Sequence, residues 1–299
     1  MIFLGYDFFS DGNSIESVPI VAEKDIQYTR VQSGVFDDLY VTTDITETEP
    51  PQAWDYDVVF HATFDGTLAA GSLDFTLDQI DTLRIKRRES GTYNWITIFE
   101  IPINNTEDFK FTRYDKYASG DTPYEYAFVP VLNGVEGSLA IKSVDSKFKG
   151  VVIANKEIAY HTIADVSLNT HSRNFSVATL QPMNQRYPYV VHNGESNYDT
   201  GSCSAFFVKT DFDAGRFDLN RLSKYQKEFL DFLADGTTKY LKYEDGRAWI
   251  IAVTGQPTQS TSEHKMKWIT SFNWTEVGST SSSTDLYDGG FIDMNIEGS

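Results

Sequence analysis

The sequence predicts a mainly β fold, and three observations support this prediction. Aromatic residues make up 14% of the 299 residues, and flat rings pack well on the pleated, half-buried surface of a sheet. Apolar and polar residues alternate in many short runs, as in strands with one buried face. Helical spacing of apolar residues occurs convincingly in one segment. With 40% hydrophobic residues, the chain is long enough to form two buried cores.

The first 52 residues predict an acidic arm with short strands and no core of its own. They contain ten acidic residues against Lys24 and Arg30, a net charge of −8. The acidic, proline-containing run TETEPPQ suits a linker. We therefore place a boundary near residue 52.

Residues 53–147 predict a β-sandwich. The run LRIKRR, the turn ESG and the run YNWITIFEI indicate a hairpin. In DFKFTRY the apolar Phe109 and Phe111 alternate with polar residues. Tyr124, Tyr126 and Phe128 alternate with their neighbours in the same way, ahead of a turn at Asn133-Gly134.

This order of strands resembles a fibronectin type III module. The resemblance rests on LRIKRR, the Trp95 strand, DFKFTRY and YEYAFVPVLNGVEGS, which is similar to that family's penultimate strand with its turn. It covers about 90 residues and implies a fibronectin/Ig-like sandwich.

Residues 148–278 predict a second β module with the chain's one strong helix, at about 219–235. Leu222, Tyr225, Phe229 and Leu233 recur at three- and four-residue spacing. Asp218 or Asn220 is placed to cap the start of this helix, and Gly236 is placed to end it.

Two further patterns follow the helix. Asp245-Gly246, between apolar runs, predicts a hairpin with a two-residue turn. KWITSFNWTEV places Trp268, Phe272 and Trp274 on one face of a last strand. Residues 279–299 read as a Ser-rich, acidic, flexible tail, in which FIDMNI could dock as a strand.

The second module resembles the β-barrel domains of distal tail and tail-tube proteins of long-tailed bacteriophages. The resemblance rests on RYPYVVHNGESNYDTGSCSAFFV, the single helix, the DGRAWIIAV hairpin and the aromatic last strand. It implies a β-sandwich or barrel that assembles into homo-oligomeric rings, hexamers in such families, around the DNA channel of the tail. Other phage tail proteins would be the partners. The location would be the tail of the virion, after assembly in the host cytoplasm.

Composition excludes or disfavours several other functions. The net charge of −18 argues against nucleic-acid binding, which needs clustered basic residues. No run approaches the roughly 20 apolar residues of a membrane span. The chain's five histidines show none of the short spacings of zinc sites. With 43 acidic residues, chance pairs of carboxylates are expected, so we predict no catalytic residues, cofactor or metal and no enzyme activity.

Two weaker candidates have structural explanations that we prefer. DFDAGRFD, at 211–218, faintly resembles a calcium loop but lacks the distal Glu, so a turn before the helix is favoured. Cys203 has no neighbouring basic residue that would activate its thiol and is interpreted as a small buried residue.

One basic cluster stands out, at Arg84, Lys86, Arg87 and Arg88. Alternation with Leu83 and Ile85 predicts Arg84 and Lys86 on the solvent face of a strand, where charge protects a sheet edge. The functional interpretation is a contact between subunits, with the acidic ends of a neighbour as counterpart.

Two alternatives to a tail component remain open. One is a glycan-binding or adhesion module that uses exposed aromatic residues such as Trp95 or Tyr198. The other is a β-rich glycan hydrolase.

Overall fold

The computed structural model describes residues 30–32, 37–41, 75–109, 111–211, 216–261 and 266–293. The chain divides into two compact units, one of residues 1–147 with 292–299 and one of residues 148–291. Every strand pair described is antiparallel, and a helix flanks the sheet of the second unit. The predicted mainly β fold class is therefore confirmed. None of the described helices is long and apolar enough to cross a membrane.

The first unit contains a three-stranded sheet, in the order β1-β2-β5, and a five-stranded sheet, in the order β4-β3-β6-β7 with β8 also paired to β6. A 3₁₀ turn, Thr106–Phe109, precedes β5. The strands are β1 (Arg30–Gln32), β2 (Asp37–Val41), β3 (Thr82–Glu89), β4 (Ile96–Pro102), β5 (Phe111–Asp115), β6 (Thr122–Leu132), β7 (Val135–Glu136) and β8 (Ala140–Ser146).

A buried polar group joins the two sheets of the first unit. The Asp115 carboxylate at the end of β5 is 1% exposed. It pairs with the Arg87 guanidinium of β3 and accepts a hydrogen bond of 3.0 Å from the Tyr126 hydroxyl of β6. Because a buried charge is stable only when it is paired and hydrogen-bonded, these contacts hold the sheets in one arrangement.

The short strands predicted within residues 1–52 include β1 and β2, and β2 pairs with β5 over Asp37–Val41. Two other local predictions for the first unit need correction. Phe109 ends the 3₁₀ turn instead of alternating within a strand. β6 is buried on both faces from Tyr126 to Val131. The Asn133-Gly134 turn is confirmed, with positive φ at both residues.

The second unit is built on a seven-stranded sheet in the order β10-β9-β15-β16-β17-β12-β11. A separate two-stranded hairpin, β13-β14, precedes the helix. The elements are β9 (Val151–Ala154), β10 (Ala159–Thr162), β11 (Ser167–Leu180), β12 (Tyr189–Ala205), β13 (Lys209–Asp211), β14 (Arg216–Asp218), α1 (Leu222–Leu233), β15 (Lys239–Tyr243), β16 (Ala248–Thr261), β17 (Trp268–Gly278) and α2 (Ser283–Asp288).

Helix α1 packs its predicted apolar face on the core of this sheet. The ring of Phe229 is fully buried, with ring centroids 3.9 Å from Phe207 and 4.9 Å from Tyr160. The predicted cap is wrong: Arg221 occupies the cap position at φ 55°, without a side-chain cap. Asp218 instead accepts the Asn220 amide in the preceding turn, at 2.8 Å.

The hairpin between β15 and β16 is confirmed, but its turn is longer than predicted. Tyr243 pairs with Arg247 through a backbone hydrogen bond of 2.9 Å, which leaves three residues in the loop. Gly246 alone has a positive φ, of 90°, whereas Asp245 does not. This arrangement matches a three-residue loop with glycine in the left-handed position.

The chain after β17 folds back on the second unit, where we predicted a flexible tail. The Ser282 side chain caps α2 by accepting the Asp285 amide at 3.2 Å. Leu286 is fully buried, and Phe291 packs edge-on against Tyr240 with ring centroids 5.8 Å apart. These two apolar anchors outweigh the polar composition of the segment. Residues 294–296 of the predicted terminal strand lie outside the described part.

Candidate assembly surface

A long hairpin, formed by β11 and β12, extends from the edge of the seven-stranded sheet. Next to the sheet, β12 pairs with β17 from Ala205 as far as Thr200. Beyond Thr200 the register of β12 continues with β11 alone. The hairpin therefore leaves the sheet as a two-stranded ribbon.

A register irregularity separates the base of this hairpin from its tip. The pairing moves from Phe175 opposite Asn197 to Val177 opposite His192, so β12 carries extra residues opposite Ser176. A Cβ atom on Gly194 would lie 2.7 Å from the Ser176 Cβ, and glycine therefore permits the close approach of the two strands. We call residues 177–192 the tip ribbon.

The tip ribbon is rich in exposed apolar side chains. Met183 is 92% exposed and Tyr187 is 70% exposed. The other large apolar residues of the tip ribbon that are at least 40% exposed are Val177, Leu180, Tyr189, Val190 and Val191. Apolar patches of this extent on soluble proteins mark interaction surfaces.

Both faces of the tip ribbon carry exposed apolar side chains. Directly opposed residues of an antiparallel pair share one face, and consecutive residues alternate between faces. Val177 and Val190 therefore lie on one face, which we call face A, and Leu180, Tyr189 and Val191 lie on the other, face B. Val190 is 58% exposed and Val191 is 43% exposed, so neither face is covered by the described part of the chain.

The buried carboxylate of Asp199 anchors the base of the hairpin where β12 leaves the sheet. It is 3% exposed and accepts from Trp249 Nε1 on β16, at 2.9 Å. His171 Nε2 and the Arg173 guanidinium, both on β11, also contact it, the former at 2.9 Å. The Asp199 amide donates to the Glu276 carboxylate on β17, at 2.7 Å. One residue thus ties three neighbouring strands to β12.

The ionised form of Asp199 is the stable one in this setting. Burial raises the pKa of the carboxyl, but the hydrogen bonds from His171 and Trp249 and the charge of Arg173 outweigh burial and hold the pKa below its usual value. The Trp249 ring, whose Nε1 donates to this carboxylate, packs against the Trp274 ring, with centroids 4.8 Å apart.

The predicted basic cluster lies in the first unit, and each of its members has an acidic partner there. Arg84 contacts Glu100 and Glu136, and Lys86 contacts Glu136. Arg87 pairs with Asp115, and Arg88 pairs with Glu125. Arg84 and Lys86 lie, as predicted, on the more exposed face of β3, opposite the buried Leu83 and Ile85, although acidic partners on β4 and β7 leave each side chain only 14% exposed. The predicted position at a sheet edge is wrong, because β3 lies between β4 and β6. A contact of this cluster with another subunit stays a prediction.

The remaining candidates have structural explanations or fall outside the described residues. Cys203 is fully buried, as predicted, and burial raises the pKa of its thiol to about 11. Of the histidines, His171 and His161 are hydrogen-bonded, the latter to the Lys149 carbonyl at 2.6 Å. Within the described ranges, no group of three or more His, Cys, Asp and Glu side chains is placed to hold a metal ion. Residues 212–215 of DFDAGRFD lie outside those ranges.

The described residues form a mainly β protein of two units. The second unit carries the tip ribbon, whose exposed apolar side chains no other described residue covers. No model of a known protein family matches the chain. A search of curated proteins likewise found no significant match.

Proposed function

We propose that this protein is a structural component of a bacteriophage tail, which assembles as a homo-oligomeric ring around the DNA channel. The resemblance of residues 148–278 to distal tail and tail-tube proteins motivates the ring and its expected six copies. Other phage tail proteins would be its partners and the virion tail its location.

The observation that carries the assembly proposal is the tip ribbon. An isolated two-stranded ribbon is at best marginally stable in water, and the tip ribbon exposes large apolar side chains on both faces. Contact with another surface would remove these side chains from water and stabilise the ribbon, at about 25 cal/mol for each Å² of apolar area covered.

Charge also favours contact at this hairpin. Residues 167–198 contain one acid, Glu195, and two basic residues, Arg173 and Arg186, a net charge of +1. With −18 for the whole chain, the remainder carries −19. Two copies therefore repel each other least when they meet at this hairpin.

The test is the mass and shape of the purified full chain. We expect native mass spectrometry to show a six-copy assembly and negative-stain electron microscopy to show rings. Leu180→Glu, which places a charge on the tip ribbon, should reduce assembly. Thr258→Glu, on the exposed and polar part of β16, places the same charge on another strand and should leave assembly unchanged. A strictly monomeric wild-type protein would contradict the proposal.

Glycan binding is a second candidate, because Tyr187, Tyr189 and Tyr198 are exposed on the hairpin. Trp95 is a poorer platform, since the Arg88 guanidinium lies over its ring, 4.3 Å from the centroid. Binding of purified cell-wall polysaccharide that is lost in Tyr198→Ala, with a monomeric protein, would favour this function over the ring.

A further inference from the structure

We infer that the tip ribbon is enclosed on both faces by second copies of this chain, with face A of one ribbon packed on face B of the next. This inference rests on the proposed ring function and specifies its contact. It starts from the pattern of the strand residues, which differs from that of an ordinary exposed hairpin.

A hairpin with one buried face has an apolar face and a polar face. In the tip ribbon, face A presents Val177 and Val190 beside the polar Thr179 and His192, whereas face B presents Leu180, Tyr189 and Val191. Strands that are apolar on both faces are typical of strands covered on both sides. The pattern therefore matches a ribbon that forms the middle layer of a larger structure.

The other long hairpin of the sheet provides an internal comparison. The outer part of β16, residues 254–261, has the sequence TGQPTQST, and its exposed side chains are polar. The outer part of β16 is thus polar, and the exposed large apolar side chains at the outer end of its partner strand are Met266 and Trp268, fewer than the seven of the tip ribbon. Hairpin length alone does not explain the composition of the tip ribbon.

The apolar area is shared between two contacts. The seven exposed apolar side chains at positions 177–191, together with Phe175, offer on the order of 800 Å² per copy over both faces. A copy enclosed on both faces covers that area in total, with about half of it in each of its two contacts. The Phe175 ring is 57% exposed and stacks on His192 of face A with centroids 5.8 Å apart, which extends face A across the register irregularity.

Contact between unlike faces sets the symmetry of the assembly. When face A of one copy meets face B of the next, each copy uses two different surfaces. Such head-to-tail contacts produce rings when the rotation closes, whereas a contact between two like faces stops at a dimer. Enclosure on both faces is therefore the form of contact that agrees with a ring.

Val190 and Val191 are consecutive residues that lie on opposite faces of the tip ribbon, and they therefore allow a matched test. Val190→Glu places a carboxylate on face A, and Val191→Glu places the same group on face B, one residue away. Both positions are exposed, so neither change should disturb the fold of a single copy. We expect each variant alone to be monomeric by light scattering and native mass spectrometry, with at least a tenfold weaker association than wild type.

Mixing the two variants tests the pairing of unlike faces. Val190→Glu retains face B and Val191→Glu retains face A, so an equimolar mixture should form heterodimers of one copy of each and stop there. Isotope labelling of one variant distinguishes heterodimers from homodimers by mass.

Four outcomes would overturn the inference. Normal rings from both variants would remove the ribbon from the contact while leaving the proposed ring function intact. Loss of assembly in only one variant would mean that a single face is used. A mixture that stays monomeric would exclude contact between faces A and B. A monomeric wild type would overturn both the inference and the proposed function. In that case the ribbon would be covered by residues 1–52, which hydrogen exchange of the ribbon amides would show, or by a membrane, which binding to anionic vesicles would show.

Discussion

Replacement of Asp199 by alanine tests whether this carboxylate anchors the hairpin. The change leaves Trp249 Nε1 without its acceptor in the core and removes the charge that faces His171 and Arg173. Loss of one partner from a buried, hydrogen-bonded charge cluster costs about 3–5 kcal/mol. We expect a loss of that size in the free energy of unfolding of the second unit, a large share of the about 5–15 kcal/mol typical of a domain.

Urea unfolding followed by tryptophan fluorescence is a suitable assay, because Trp249 donates to Asp199 and packs against Trp274. Asp199→Asn is the matched control: it keeps an oxygen that can accept from Trp249 but removes the charge. Its expected cost is about 1.5–3 kcal/mol, the contribution of a hydrogen bond to a charged group. A loss below about 1 kcal/mol in Asp199→Ala would refute the anchoring role, since deletion of an uncoupled surface carboxylate costs that little.

The same cluster predicts a dependence on pH. The folded pKa of Asp199 lies below its ordinary value of 3.8. The stability that the ionised carboxylate contributes is therefore fully present above pH 4 and is lost as the pH falls through the folded pKa. The difference in unfolding free energy between wild type and Asp199→Asn should shrink below pH 4. A difference that grows on acidification would contradict the assignment.

Three further changes test the core of the second unit by urea unfolding. Phe229→Ala, which empties a fully buried ring site, should cost about 3–5 kcal/mol, against less than about 0.5 kcal/mol for the exposed Lys227→Ala on the same helix. Gly201→Ala should cost about 1–3 kcal/mol, because its Cβ would lie 2.5 Å from the Trp274 ring. Burial lowers the pKa of His161 to about 4. Stability should therefore fall as the pH drops from 6.5 to 4, with a total loss of about 3 kcal/mol that is absent in His161→Gln. An unchanged urea midpoint in any of these three would contradict the packing described for that site.

Local patterns carried most of the fold prediction. Spacing of apolar residues located α1, and the Asn133-Gly134 and β15–β16 turns were found because turn residues act within a few positions. The helix cap failed for a local reason as well: Asp218 was a suitable acceptor, but the Asn220 amide of the preceding turn uses it. The sequence does not predict α2, because this segment has only two apolar anchors, Leu286 in the helix and Phe291 after it. Two residues are too few to show the 3.6-residue spacing of a helix.

The partners of charged residues could not be predicted, because they come from distant positions in the chain. Arg84 meets Glu136, 52 residues away, and Asp199 meets Trp249, 50 residues away. Nothing in the residues around Asp199 distinguishes it from the other acids of an acidic chain. Its role follows from the register of three strands, which tertiary packing decides.

The sequence predicts strands at the assembly surface but not their exposure to solvent. RYPYVVHNGESNYDTGSCSAFFV predicts a strand, a polar turn and a second strand, but Tyr189–Ala205 form one strand, β12, with a register irregularity where the turn is predicted. The run YVV reads as an ordinary buried strand. Whether such a run is covered by its own chain or by another depends on where the strand leaves the sheet. Only the pairing of β12 with β11 alone beyond Thr200 places Val190 and Val191 in solvent.

The mass of the full-length protein in solution tests the central claim most directly. A single copy weighs 33.8 kDa. Native mass spectrometry at rising protein concentration should show six copies in one closed species, which the tip-ribbon variant Leu180→Glu loses and the control Thr258→Glu retains. A species of 33.8 kDa at every concentration, for wild type and both variants alike, would contradict assembly through the tip ribbon.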